Sequence, residues 1–169
     1  KPIARSAIIY GKFVGCAMVL LLTVIAEVVL IVGMLSMSGF FPEGLFFVAI
    51  IGIYIKLLAV LGLILFFSTF ISPVLALFMT LASYIIGHSG YVMLEYAYES
   101  LDTSFLIAAR GILTIFPNLE SLNLKNYVAT DAVIDINTYL IAFAMAIVYT
   151  GIITFLAAKI FEKRSFDAV

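Results

Sequence analysis

The amino-acid sequence predicts an all-α integral membrane protein with about four transmembrane helices. Hydrophobic residues make up 65% of its 169 residues, charged residues make up 11%, and the mean hydropathy is +1.26. A soluble domain usually carries roughly 25% charged residues, which this chain lacks. Apolar runs of about 20 residues, the length that crosses the hydrocarbon core as a helix, recur along the chain. Composition and run length therefore agree on the fold class.

The boundaries of the four spans follow from turn and helix-breaking residues. A short turn containing Gly, Pro and Glu separates the first two apolar runs at residues 36–44. The next apolar run continues from residue 45 to residue 87, which is too long for one crossing. Pro73 removes a backbone donor and disfavours helix at Ser72, so the run divides there. We expect spans at residues 13–35, 45–71, 73–90 and 138–158.

The remaining residues form one domain with these spans. Residues 1–12 are predicted to be a short amphipathic helix, and residues 159–169 a tail. Gly87-His88-Ser89-Gly90 predicts a break in the third helix. Residues 91–136 are predicted to form an outer amphipathic helix followed by an ordered extramembrane loop. Three acidic residues share one face of that helix at i, i+4 and i+7 spacing, which is typical of a hydrated surface: Glu95, Glu99 and Asp102.

Orientation is predicted from the positive residues. Four spans place both ends of this chain on one side, and six of the nine Lys and Arg residues belong to those ends: Lys1, Arg5, Lys12, Lys159, Lys163 and Arg164. Cytoplasmic loops carry such an excess. We therefore expect a multi-pass protein of the cell membrane with both ends of this chain in the cytoplasm.

Glu27 and Lys56 are the two charged residues inside the predicted spans. A charge at this depth costs several kcal/mol unless it is paired or hydrated. Counting residues from the outer helix ends brings the two to depths that differ by roughly 4–5 Å. The hypothesis is an intramembrane ion pair, with a role either in helix association or in a substrate or proton path.

Several kinds of catalytic or binding site are excluded or disfavoured. Gly87-His88-Ser89-Gly90 resembles the serine motif of rhomboid proteases, but His88 adjoins Ser89 and is poorly placed as its base. Tyr10-Gly11-Lys12 does not satisfy the Walker phosphate-loop pattern. With one cysteine, Cys16, the chain forms no internal disulfide and no multi-cysteine metal site. We expect no enzyme activity, metal or cofactor in this chain, and a net charge of −1 predicts no nucleic-acid partner.

Three motifs carry a family resemblance. The first is KPIARSAIIYGKFVG at residues 1–15, in which Pro2, Arg5, Tyr10, Gly11 and Lys12 match a pattern close to K-P-[IV]-x-R-x-x-[YF]-x-x-G-K if Ile9-Tyr10 stands for the aromatic position. The others are FFSTFISPVLA at residues 66–76 and FPNLESLNLKN at residues 116–126. In order and spacing they resemble the permease subunits of type-2 ABC transporters over nearly the whole chain.

The resemblance implies several properties of the whole protein. Permeases of this family have six helices, so two further spans are expected before Lys1. Two permease subunits pair as a homodimer or heterodimer with cytoplasmic ATPase subunits, which bind ATP and Mg. The segment before the third span is a coupling helix that docks on the ATPase, which assigns this role to residues 1–12. The region after the fifth span forms short outer or re-entrant helices.

The functional hypothesis is therefore the membrane-spanning subunit of an ABC exporter, powered by ATP hydrolysed on a partner. The alternative is a non-ABC polytopic scaffold or assembly factor in a larger membrane complex. For the basic segment, defined as residues 1–12, the alternative is that its cations only set topology.

Overall fold

The computed structural model describes residues 4–100, 103–116, 118–124 and 136–163. Helices contain 88% of these residues, and no strand occurs among them. The elements are α1 (Arg5–Met37), α2 (Gly44–Ser68), α3 (Pro73–Glu99), α4 (Thr103–Ile115), a 3₁₀ turn (Glu120–Leu122) and α5 (Ile136–Lys163). Helices α1, α2, α3 and α5 are long and apolar enough to cross a membrane. The all-helical class and the four candidate spans are therefore confirmed.

Helix α2 is the centre of the bundle. It packs against α1, α3, α5 and the 3₁₀ turn, and its most extensive contact is with α5. Small side chains allow the two backbones to approach closely, as is common between membrane helices. On the α2 side the buried residues are Gly52, Ile55, Ala59, Gly62 and Leu63, and on the α5 side they are Tyr139, Ala146, Thr150, Thr154, Ala157 and Ala158.

The hydroxyl groups buried along this interface are satisfied within their own helix or across it. Thr150 and Thr154 each donate a 2.8 Å hydrogen bond to the carbonyl four residues earlier. Tyr139 instead donates across the interface, to the Val48 carbonyl of α2 at 3.2 Å. A buried hydroxyl without a partner is costly in lipid, so these bonds permit polar residues inside the bundle.

Helix α1 lies at the edge of the bundle and differs from the prediction at its start. It has 33 residues and a length of about 50 Å. The predicted amphipathic helix at its N-terminus is not a separate element, because α1 runs without interruption from Arg5 into the first span. Gly11 and Gly15 are the weakest helix formers at this junction, and single glycines cost a helix only about 1 kcal/mol each. The sequence of α1 contains no proline that would end the helix.

The turn between α2 and α3 is close to its predicted position. Helix α2 ends at Ser68, three residues before the expected boundary, and α3 begins at Pro73 with proline in its first turn. The hydroxyls of Ser68 and Thr69 donate to the carbonyls of Leu65 and Phe66 at 2.8 and 2.6 Å. These hydroxyl bonds reinforce the end of the helix, where the Phe66 carbonyl also accepts a 3.1 Å hydrogen bond from the Thr69 amide.

The predicted break at residues 87–90 is wrong. Helix α3 continues through all four residues to Glu99. Helix α4 then runs back along α3, since Arg110 donates a 2.7 Å hydrogen bond to the Tyr98 hydroxyl and Leu113 packs onto Gly90. A side chain at Gly90 would collide with Leu113. The glycine therefore serves close helix packing, and the predicted outer helix is in fact the end of α3 plus α4.

Candidate functional site

The described part of the basic segment, residues 4–12, lies where the ends of α1 and α5 meet. Ile9 is 3% exposed and packs against Ala157 and Ala158 of α5, with Phe66 and Phe161 beside them. The described ends of the chain therefore lie at the same end of the bundle, as four crossings require. That the cytoplasm faces this end stays a prediction from the positive residues.

Four residues of the proposed coupling segment lie on the same turns of α1 as Ile9, but their side chains or backbone are exposed. Arg5, Tyr10, Gly11 and Lys12 are exposed, and Tyr10 is 41% exposed. Pro2 lies outside the described residues. One side of this helix therefore anchors α1 to α5 while the remaining surface is available to a partner.

Glu27 and Lys56 are not brought together. Tyr54 of α2 donates a 3.1 Å hydrogen bond to the Ala17 carbonyl of α1, which fixes the register of these antiparallel helices. Glu27 lies ten residues beyond Ala17 toward one end, and Lys56 lies two residues beyond Tyr54 toward the other. At 1.5 Å per residue their backbones are about 18 Å apart along the bundle. Glu27 is exposed and Lys56 is half-buried.

A polar segment enters the bundle from the end opposite the basic segment. We name residues 118–124 the inserted segment. Its Leu122 packs against Ile55 of α2 and Ala146 of α5, and its Leu119 amide donates a 3.1 Å hydrogen bond to the Gly87 carbonyl of α3. Ala146 lies ten residues, about 15 Å, beyond the Ile136 end of α5. This part of the predicted extramembrane loop therefore lies inside the bundle.

His88 of α3 lies against Glu120 of the inserted segment. The imidazole Nδ1 of His88 lies 2.9 Å from Glu120 Oε2, although the angles do not give a regular hydrogen bond. The imidazole ring also stacks on Tyr84, with ring centroids 5.8 Å apart. The Asn123 amide donates to both Glu120 carboxylate oxygens, at 3.1 and 3.3 Å. His88 thus joins α3 to the inserted segment.

A small cavity adjoins the inserted segment on its α5 side. Its volume is about 160 Å³, and its polar wall consists of Thr114, Asn118, Ser121 and Tyr149. The Ser121 hydroxyl donates to the Asn118 carbonyl at 2.7 Å, and the Thr114 hydroxyl donates to the Arg110 carbonyl at 2.8 Å. The Ser121 hydroxyl is therefore satisfied within the inserted segment, and the Thr114 hydroxyl is satisfied within α4.

Within the described ranges, no three His, Cys, Asp or Glu side chains converge as metal ligands would. Cys16 is exposed and its side chain is free. Ser89 is exposed on α3, away from the Nδ1 contact that His88 makes with Glu120.

The inserted segment was the feature that sequence reasoning missed. Leu119, Leu122 and Leu124 are spaced so that all three become buried, at 0%, 1% and 3% exposure. This apolar repeat inside a polar stretch was the available signal. Comparison with models of known families, with curated proteins and with solved structures finds no match to this chain.

Proposed function

We propose that this chain is the membrane-spanning subunit of an ABC exporter, driven by ATP hydrolysed on a partner subunit. The observation that carries the proposal is the seating of the basic segment. Ile9 fixes the first turns of α1 on α5, while Arg5, Tyr10 and Lys12 remain exposed beside it. A partner that moves these turns would therefore move two spans together.

The helix that begins in the basic segment is continuous with the first span. A rigid helix transmits displacement along its length, whereas a flexible joint would absorb it. Because α1 has no break between Arg5 and Met37, a shift of a few ångströms at its start reaches the membrane interior. Closure of an ATPase dimer is the kind of motion that this connection would transmit.

The partners follow from the same proposal. The ATPase subunit binds ATP and Mg and docks on the exposed face of the basic segment. A second permease copy or a paralogue completes the transporter. The alternative of a non-ABC scaffold predicts stable membrane partners but no effect of nucleotide on any contact of residues 4–12.

A cysteine cross-linking experiment tests the docking. Cys16 is first replaced by Ala, since it is exposed, and Ala4→Cys is introduced on the exposed start of α1. The variant is co-expressed with the candidate ATPase, whose matching surface carries a second cysteine. Ser36→Cys is the matched control, because Ser36 is exposed at the opposite end of α1.

We expect a cross-link at Ala4→Cys whose yield changes with ATP and with a trapped ATP state, and none at Ser36→Cys. A second variant, Ile8→Ser, removes an exposed apolar side chain while keeping every cation of the segment. It should reduce ATPase copurification without changing topology. If Ala4→Cys never responds to nucleotide and Ile8→Ser binds the ATPase normally, the basic segment does not couple ATP hydrolysis to the spans.

A further inference from the structure

The cavity beside the inserted segment has a mixed wall that three parts of the chain supply. Its volume is about 160 Å³. Leu113, Phe116 and Met145 give it apolar surface, while hydroxyl and amide side chains of α4, the inserted segment and α5 give it a polar side. Among the described residues, no charged side chain lines it. A concave apolar space with a few converging polar groups is the usual form of a small-molecule site.

Two polar groups of this wall have unused hydrogen-bond donors. Tyr149 is half-buried on α5, and within the described ranges its hydroxyl makes no hydrogen bond. The Asn118 side-chain oxygen accepts a 3.2 Å hydrogen bond from the Ser121 amide, whereas the Asn118 NH₂ group has no acceptor in the same ranges. A donor without a partner inside a membrane bundle costs free energy, so a molecule that accepts from these groups is stabilised there.

Ser121 and Thr114 supply hydrogen-bond acceptors to the same wall. Their hydroxyl hydrogens are already donated, to the Asn118 carbonyl at 2.7 Å and to the Arg110 carbonyl at 2.8 Å. A hydroxyl that has donated its hydrogen keeps its lone pairs and can only accept. The wall therefore offers donors and acceptors together, and a ligand hydroxyl complements both because it accepts and donates at once.

The size of the cavity and the absence of charge from its described wall limit the ligand. A cavity of about 150 Å³ holds one molecule of the size of benzene. A phospholipid or a peptide is therefore far too large for this space. A charged molecule would lose its hydration here without gaining a counter-ion, because none of the described wall residues is charged. These two limits leave a small neutral molecule.

We propose that this cavity binds one small uncharged molecule that has an apolar ring or short chain and one hydroxyl group. The apolar part packs against Leu113, Phe116 and Met145. The ligand hydroxyl accepts a hydrogen bond from the Tyr149 hydroxyl and donates one to the Ser121 hydroxyl. Such a ligand joins α4 and the inserted segment to α5, so its binding stabilises the bundle at this point. The site lies within this chain alone and does not depend on an ATPase partner.

Fluorine NMR of the purified full chain in detergent micelles tests the site with three probes of similar size. These are 4-fluorophenol, fluorobenzene, which lacks the hydroxyl, and 4-fluorobenzoate, which is charged. We expect 4-fluorophenol to give a saturable bound signal and fluorobenzene to bind about tenfold more weakly, since two hydrogen bonds are lost. The benzoate should not bind saturably. Equal affinity for 4-fluorophenol and fluorobenzene, saturable binding of the benzoate, or no saturable binding of 4-fluorophenol would overturn the proposal.

Two pairs of variants separate this site from partition into the micelle. Ala142→Leu fills the cavity and should abolish saturable binding, whereas Ala144→Leu, at an exposed position of α5 outside the wall, should leave it unchanged. Tyr149→Phe keeps the shape of the side chain and should weaken 4-fluorophenol binding about fivefold without changing fluorobenzene binding. Tyr96→Phe, at a residue that is 67% exposed, should change neither.

The site is refuted if Ala142→Leu and Ala144→Leu bind 4-fluorophenol alike in folded protein, or if Tyr149→Phe behaves as Tyr96→Phe does. If Ala142→Leu does not fold, the comparison of the two tyrosine variants decides alone, because removing one hydroxyl oxygen leaves the packing of α5 in place.

Discussion

Gly52 is a position where the packing of the bundle leaves no room for a side chain. A Cβ atom added there would lie 2.5 Å from the Tyr139 hydroxyl oxygen and 2.9 Å from the Leu122 carbonyl oxygen. The backbone carbonyl belongs to the inserted segment and cannot rotate away as a side chain would. Gly52→Ala must therefore shift α5, the inserted segment or both.

The size of the effect follows from two opposing terms. Overpacking a well-packed interior by one methyl group costs about 1–3 kcal/mol. Alanine is better than glycine in a helix interior by roughly 0.5–1 kcal/mol. We therefore expect Gly52→Ala to lower the free energy of unfolding by roughly 1–2 kcal/mol. The measurement is reversible unfolding of the purified protein in mixed micelles, followed by circular dichroism.

Gly62 provides a control in the same helix and against the same partner. A Cβ atom at Gly62 would lie 3.4 Å from the Thr154 hydroxyl oxygen, which is ordinary contact. Gly62→Ala should therefore be neutral or raise the free energy of unfolding by about 0.5–1 kcal/mol. The reasoning is refuted if Gly52→Ala and Gly62→Ala have the same effect.

Tyr139→Phe tests the origin of the clash. Alone, it removes the hydrogen bond to the Val48 carbonyl and should cost about 0.6 kcal/mol, the typical value for such bonds in membrane helices. Combined with Gly52→Ala it also removes the nearest colliding atom, so the double variant should be more stable than the sum of the single effects. Purely additive effects would place the strain at the Leu122 carbonyl instead.

Three further changes address α3, α4 and the inserted segment. Gly90→Ala should lower the free energy of unfolding by about 1 kcal/mol because of its clash with Leu113, and adding Leu113→Ala should abolish that loss, as unfolding titrations of both variants would reveal. Glu120→Gln keeps the shape of the side chain but removes the charge beside His88. Since both side chains are about one-third exposed, the free energy of unfolding should fall by about 1 kcal/mol or less. Hydrogen exchange across residues 118–124 should become faster. Arg110→Met should lower the free energy of unfolding by less than about 1 kcal/mol, because the bond from Arg110 to the Tyr98 hydroxyl is exposed. A larger loss of protection against hydrogen exchange in α4 would contradict this expectation.

The four candidate spans could be predicted from sequence because each is a long apolar run. Such a run can cross a bilayer as a helix, which satisfies its backbone hydrogen bonds within the segment. Pro73 also marked the start of α3 correctly, since proline is favoured in the first helical turn. These are local properties. They need no information about which helices touch.

The errors concern features that depend on contacts between distant residues. Gly90 suggested a helix break, whereas its contact with Leu113 compensates the intrinsic cost of glycine. The inserted segment was polar and was therefore assigned to the outside, although several of its polar groups bond to one another and its leucines are buried. The Glu27–Lys56 hypothesis assumed that α1 and α2 begin level at their outer ends. The hydrogen bond from Tyr54 to Ala17 gives a different register, because the connection between the helices is partly extended.

The contact between α2 and α5 has a consequence for the order of events during synthesis. The two helices are separated by α3, α4 and the inserted segment, so the buried face of α2 leaves the ribosome well before its partner exists. At 5–20 residues per second, the roughly 90 residues between the middles of the two helices take about 5–20 s to translate. During that interval Gly52, Ala59 and Gly62 lie against lipid or the insertion machinery. The contact between α2 and α5 therefore forms only when α5 is inserted, so the stability that this contact contributes is gained late in synthesis.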